Sequence, residues 1–326
     1  MGKINLAIFR QRYSLPMEQK IIWTQNRVKD FYDALDGNVY LSFSGGKDSQ
    51  VLAEIIKEMP EPYKSIELVF FNTHNENPSV FEIVRQYGAT IVDSPMRPRQ
   101  VIEEYGYPLF NKDVANVIDD IQRNVPYTND PLAKRREQID KIKEKYRDFI
   151  KSPLRISDKC CDVLKKRPSS QLSRQTGKKP IIGTLATESR NRMITYLNNG
   201  CNTFSKGNTK STPMSIWKKS EILDFIVSRN IRIAECYGAE IVNGECRLVG
   251  VKQTGCMFCG FGKGMGFAYK ILKSRHPEYY ARLEKNKKAY LHKYLADERL
   301  KEEREILKAE RARLREERAK ARNKAF

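Results

Sequence analysis

The 326-residue chain lacks several features, and each absence narrows its class. No stretch is long and apolar enough to span a bilayer. Met1 to Arg10 carries no apolar leader core. A cytoplasmic protein with no membrane partner is the expectation, and seven cysteines in that compartment point to metal or redox chemistry rather than disulfides. No internal repeat is visible. Histidine is scarce: His74, His276 and His292 are scattered, and only His74, just after the second expected strand, falls where it could edge a ligand site or simply cap a surface loop. No glycine or proline follows Pro277, so residues 276–326 read as one charged helical tail. Leu300, Leu307 and Leu314 fall seven apart there, yet the companion heptad positions hold mostly Glu and Arg, which favours a solvated single helix over a coiled coil.

What is abundant is positive charge. Sixty Lys and Arg face forty Asp and Glu, a formal net charge of +20, with 40% hydrophobic residues for a core. The surplus is uneven: residues 132–179 hold sixteen basic and six acidic side chains. Such a stretch suits a nucleic-acid track, a funnel for an anionic substrate, or a set of solvated helices. The tail from Asp297 onward has eleven basic and eight acidic residues and adds little to the imbalance.

Periodicity predicts helices over 18–35, 49–59, 78–87 and 218–228, with residues 97–155 mostly helical. Strands are expected at 39–43, 66–71, 90–92, 180–184 and 214–216. Strands alternating with helices argue for an α/β fold with an open, mainly parallel sheet. Two domains are expected, 1–275 with the helical insertion and 276–326 as the tail.

The sharpest signal is Ser44-Gly45-Gly46-Lys47-Asp48-Ser49, placed between the first strand and the next helix. It does not fit the common phosphate loop, which needs Gly, four residues, then Gly-Lys-Ser or Gly-Lys-Thr. Glycines let the backbone approach a pyrophosphate, and a helix N-terminus offers it N–H groups. Ser44 and Ser49 can donate hydroxyls and Lys47 can offset charge. Asp48 makes sense if it holds Mg2+ or orients Lys47.

These six residues resemble the PP-loop signature of the ATP pyrophosphatase superfamily, and within it the phosphoadenosine phosphosulfate (PAPS) reductase family. Asn72-Thr73 is similar to that family's Asp-Thr at adenine or ribose, with Asn in place of Asp. Gly183 to Arg192, containing Glu188, resembles its Gly…Glu-Ser…Arg segment, and Pro213 to Trp217 its Pro-Leu…Trp stretch. The resemblance covers roughly residues 20 to 265. It implies a five-stranded, HUP-like nucleotide-binding sheet with ligands at the carboxyl ends of its strands. It further implies ATP, or adenylyl sulfate or PAPS, bound by Ser44 to Ser49, Asn72, Thr73, Gly183, Glu188 and Arg192, with Lys47 and Asp48 in catalytic roles.

Cys160-Cys161 are adjacent, and Cys256 and Cys259 form a Cys-x-x-Cys. Four thiolates fit a tetrahedral Zn2+ or a 4Fe-4S cluster. Vicinal cysteines converge poorly on one small ion and reach two irons of a cluster more easily. The pattern also resembles the 4Fe-4S site of adenylyl-sulfate reductases. Lys159, Lys165, Lys166 and Arg167 beside it would lower thiolate pKa values. Cys201, Cys236 and Cys246 read as spare thiols.

One departure bears on activity. The sulfonucleotide reductases carry a catalytic cysteine in a Glu-Cys-Gly-x-His segment, and no cysteine follows Cys259 here. The expectation is therefore a PAPS reductase-like enzyme that cleaves ATP or an adenylyl nucleotide at the α-phosphate for sulfur transfer, with tRNA or DNA as acceptor and a sulfur donor protein as partner. The alternatives are a true adenylyl-sulfate or PAPS reductase, and a non-catalytic regulator that binds DNA or a protein.

Overall fold

The computed structural model describes residues 4–125, 133–205, 207–242, 245–248, 254–256, 261, 273, 277–278 and 281. The chain divides into two compact units, Met1–Gly266 and Phe267–Phe326. Leu300, Leu307, Leu314 and nearly all of the expected tail helix lie outside the described residues, as does Cys259.

A six-stranded sheet organises the first unit. Its strands are β1 (Val39–Ser42), β2 (Leu68–Asn72), β3 (Thr90–Asp93), β4 (Lys179–Ile182), β5 (Asn202–Ser205) and β6 (Asn208–Ser211), in the order β3-β2-β1-β4-β6-β5. The first four and β6 run parallel, and β5 pairs antiparallel with β6. β1 lies in the middle, so both its faces are covered. Val39, Tyr40 and Leu41 are all buried, which is why it reads as a continuous apolar run rather than an alternation. A separate hairpin joins β7 (Ala239–Val242) to β8 (Glu245–Leu248).

Helices Met17–Asp33, Lys47–Lys57, Pro78–Gln86 and Lys219–Ser228 fall where periodicity places them, and Pro98–Tyr105, Lys112–Gln122, Ala133–Lys145 and Arg147–Ile150 fill the segment after β3. The sheet has six strands rather than five. The strand expected at 214–216 is a buried turn: Trp217 N–H donates to Met214 O at 3.0 Å, and Ser215 Oγ donates to Thr212 O at 2.7 Å. Met214, Ile216 and Trp217 are fully buried, and a short apolar run reads as a strand whether it is extended or coiled on itself. The edge is instead made by the polar β5 and β6, whose Asn-Thr-Phe-Ser and Asn-Thr-Lys-Ser lack an apolar signal. Among the described residues, no helix is long and apolar enough to cross a membrane.

The strand order reverses between β1 and β4. In open parallel sheets the chain leaves the two strands in opposite directions at such a point, and a crevice forms at their carboxyl ends. Ser44–Ser49 follow β1, Asn72-Thr73 end β2, and Gly183 follows β4.

Candidate functional site

The PP-loop segment is built by backbone demands. Gly45 has φ +67, a left-handed conformation that favours glycine, and a Cβ there would lie 2.9 Å from Val80 Cγ1, Val80 O and Val84 Cγ2. Gly46 is the N-cap of helix Lys47–Lys57, two residues earlier than expected from the pattern. Gly183 presses the β4 turn onto the helix start: its Cβ would meet Asp48 O at 3.0 Å and Ser49 Cα at 3.2 Å. A Cβ there would be tighter than ordinary contact, and glycine lets the two turns close on one another without a shift.

Hydroxyls brace the bend. Ser49 Oγ donates to Gly46 O at 2.8 Å and accepts Ser44 N–H at 3.2 Å, and Ser44 Oγ accepts Gly46 N–H at 3.3 Å. Lys47 N–H donates to the Tyr237 hydroxyl at 3.0 Å. The amides of Asp48 and Ser49, in the first helical turn, have no backbone acceptor among the described residues. They stand at the positive end of the helix dipole, where an anion is favoured.

Lys47 is buried, and its Nζ lies 3.0 and 2.9 Å from the two Asp48 carboxylate oxygens. Of the two roles open to Asp48, orienting Lys47 is the one this geometry displays. Arg192 stands near enough to feel Asp48: burial lowers the guanidinium pKa, and Asp48 acts against that. Glu188 pairs with Arg192 one turn away and accepts Leu185 N–H at 3.0 Å. Gly183 is thus packed on the PP-loop, Arg192 stands within the electrostatic reach of Asp48, and Glu188 joins them through Arg192.

Asn72 and Thr73 part company. Asn72 Nδ2 donates to Asp93 Oδ1 at 2.7 Å and lies 3.1 Å from His74 Nδ1, while Asn72 Oδ1 accepts His74 N–H at 2.9 Å. Asn72 and Asp93 are register partners on β2 and β3. An aspartate at 72 would set two carboxylates against each other, which accounts for the asparagine. His74 has φ +57 and lines, with Asn72, Glu76, Phe81, Glu82 and Arg85, a cavity of about 360 Å³. Thr73 is fully buried, donates to Glu76 Oε1 at 2.6 Å and lies 3.8 Å from Cys256 Sγ.

A second cavity of about 260 Å³ lies at the carboxyl ends of β1 and β2. Ser44, Phe71, Glu76, Lys165, Ser169 and Thr254 are among its walls. Cys160 and Cys161 lead directly into a π-helical turn, Asp162–Lys166, that sets Lys165 and Lys166 at this cavity. Wide turns of this kind are rare and recur at functional sites. The Cys161 thiol is lowered to about 6, first by its hydrogen bond with Cys160 and further by Lys112 and Lys165, against the opposing effect of burial. For Lys165 the largest influence is burial, which lowers its pKa. Cys256, Cys161 and Glu76 together outweigh it, so the net shift is upward and the ammonium stays charged. Cys161 and Cys256 therefore both act on the Lys165 ammonium. Among the described residues no three His, Cys, Asp or Glu side chains form a metal-holding group. The fourth expected ligand, Cys259, lies outside the described residues. Cys201 is buried and its thiol is pushed up to about 11.

Glu76, Tyr237 and Thr254 were not singled out from sequence. Tyr237 and Thr254 reach the site through tertiary packing that no local context marks, whereas Glu76 sits three residues after Thr73, at the Thr-x-x-Glu spacing of their local hydrogen bonds. By signature and setting, the chain resembles a PP-loop protein of the PAPS reductase-like family. No family model and no curated protein matches it. Similar solved structures include the phosphoadenylyl-sulfate reductase of Candida auris in a phosphate complex, at 12% identity over 78% of this chain and 100% of that one, with a TM-score of 0.39. Another is the U34-tRNA thiolase NcsA of Methanococcus maripaludis with its [4Fe-4S] cluster, at 15% identity over 82% of this chain and 80% of that one, with a TM-score of 0.35.

Proposed function

We propose that the chain is a PAPS reductase-like PP-loop enzyme that binds ATP or an adenylyl nucleotide and cleaves it at the α-phosphate for sulfur transfer. The observation that carries this reading is the convergence of the six-residue signature, the open Asp48 and Ser49 amides and the Gly183 turn at the switch point of the sheet. The amides and the Ser44 hydroxyl hold phosphate oxygens, while the Ser49 hydroxyl, its proton on Gly46 O, braces the bend. Lys47, fixed by Asp48, stabilises negative charge on the departing pyrophosphate. Magnesium arrives with the nucleotide as MgATP.

In the reaction, a nucleophilic atom of the acceptor forms a bond to the α-phosphorus. The bond to the bridging oxygen breaks, and pyrophosphate leaves with the electron pair. A sulfur nucleophile from a donor protein then displaces AMP from the activated acceptor. Cys160, Cys161, Cys256 and Cys259 would hold a 4Fe-4S cluster, which would supply a place to carry or deliver sulfur; Zn2+ is the other fit for four thiolates. Lys165 offsets the thiolate charge and Lys166 shares the cavity wall.

A nucleic acid, tRNA or DNA, is the acceptor class that suits the basic stretch 132–179. Part of that charge is internally paired: Lys141 with Glu137, Arg167 with Asp162 and Lys178 with Glu67. The test is product analysis with α-labelled ATP and bulk tRNA or DNA. AMP and pyrophosphate support the reading, and ADP contradicts it. Sulfite released from adenylyl sulfate would move the assignment to a sulfonucleotide reductase.

A further inference from the structure

Tyr237 is almost fully buried, at 1% exposure, and its hydroxyl is shared by two parts of the chain that are otherwise far apart in sequence. It accepts the Lys47 N–H at 3.0 Å and stands 3.1 Å from Thr254 Oγ1. The ring is fixed from behind. Tyr237 closes the 3-10 turn Glu235–Tyr237, Gly238 follows in a left-handed conformation, and the Cys236 N–H donates to Ser79 Oγ at 3.2 Å.

Thr254 itself lies against the PP-loop. A Cβ on Gly46 would come within 2.6 Å of Thr254 Oγ1 and 3.2 Å of the Tyr237 hydroxyl. The short strap Thr254–Cys256 therefore rests on the loop at its second glycine, and two residues further on it sets Cys256 Sγ 3.8 Å from Thr73 Oγ1. Thr254 and Gly255 also wall the cavity that holds Lys165 and Ser44. A single hydroxyl thus touches the helix start that would bind phosphate and the segment that carries a thiol.

We infer that Tyr237 is a positioning residue whose hydroxyl joins the phosphate loop to the Thr254–Cys256 strap, so that filling the loop and placing Cys256 form one coupled equilibrium. This rests on the proposal that the loop binds an adenine nucleotide. Phosphate drawn onto the helix start orders the Lys47 amide, and the Tyr237–Thr254 hydrogen bond passes that order to the strap. Linkage makes the relation reciprocal: whatever factor the nucleotide contributes to ordering the strap, an ordered strap contributes to nucleotide affinity.

The test is amide hydrogen exchange on the full chain, followed in peptides covering residues 44–50 and 254–256, without ligand and with MgATP or adenylyl sulfate. In the ligand-free protein, Tyr237→Phe should speed exchange in both peptides by about tenfold, the effect of losing one net hydrogen bond. Thr254→Val should speed only the second, and Thr254→Ser should match the parent. With nucleotide, the parent should gain protection in both peptides. Tyr237→Phe and Thr254→Val should gain it in the loop alone, and Thr254→Ser should regain it in the strap.

Equal nucleotide protection of the strap in Tyr237→Phe, Thr254→Val and parent would overturn the inference. So would unchanged ligand-free exchange in Tyr237→Phe. If the parent binds no adenine nucleotide, the proposed function fails separately, and the ligand-free comparison alone decides whether the hydroxyl joins loop to strap. A residue that merely filled space would give neither the split between the two peptides nor the rescue by serine.

Discussion

Gly45 and Gly88 offer a matched pair. Both have positive φ, +67 and +63, so alanine is strained at either position. That strain costs about 1–2 kcal/mol per residue. It is partly offset by the stiffer unfolded chain, by roughly 0.4–1 kcal/mol. Around Gly88 a new Cβ meets nothing within 4 Å. At Gly45 it meets Val80 Cγ1, Val80 O and Val84 Cγ2, each at 2.9 Å. The valine methyls can turn, but the Val80 carbonyl belongs to the helix Pro78–Gln86 and cannot move alone. Overpacking of this kind adds about 1–3 kcal/mol. Gly88→Ala should therefore lose about 1 kcal/mol and Gly45→Ala about 2–4 kcal/mol in urea unfolding followed by circular dichroism. Gly45→Ala should also lose nucleotide affinity, while Gly88→Ala keeps it. Equal losses in the two variants, within about 0.5 kcal/mol, would refute the claim that the bend is packed against the helix after β2.

Three further outcomes follow from the same geometry. Glu221→Gln should destabilise the chain by about 3 kcal/mol, because fully buried Lys20 has both Glu221 oxygens at 2.7 Å and would keep the Tyr13 carbonyl but lose its counter-charge; Lys20→Met added to it should recover most of the loss in thermal melts. Asn72→Asp should lower the melting temperature at pH 7, by an amount kept small by the exposure of Asp93, and the penalty should fade as pH drops and one carboxyl is protonated; the exchanged pair Asn72→Asp with Asp93→Asn should restore the parent value. Cys201 should resist iodoacetamide at pH 8 in the folded chain. Its thiol, ordinarily near 9.0, is raised to about 11 by burial, so its contribution to stability is intact below pH 9 and is lost as pH rises through about 11.

The sequence exposed the parts of this molecule that local chemistry controls. β1 declared itself because a central parallel strand needs apolar residues on both faces, and the di-glycine bend because only glycine tolerates its φ and its crowding. Gly183, Glu188 and Arg192 were reached through resemblance, and the approach of Gly183 and Arg192 to Asp48 is visible only once β4 lies beside β1. What stayed hidden was set by packing at long range. The β5–β6 edge is polar and carries no periodic mark, while Met214 to Trp217 looks extended because burial alone made it apolar. The asparagine at 72 becomes intelligible through Asp93, twenty-one residues away. Tyr237 and Thr254 have ordinary neighbours in sequence and reach the loop through the fold.

The most direct measurement is isothermal calorimetry of the purified chain with MgATP, adenylyl sulfate and PAPS, alongside the Gly45→Ala variant. One equivalent of adenine nucleotide should bind the parent, and Gly45→Ala should bind it far more weakly. An absence of heat with all three nucleotides would contradict the assignment of the bend after β1 as a phosphate seat.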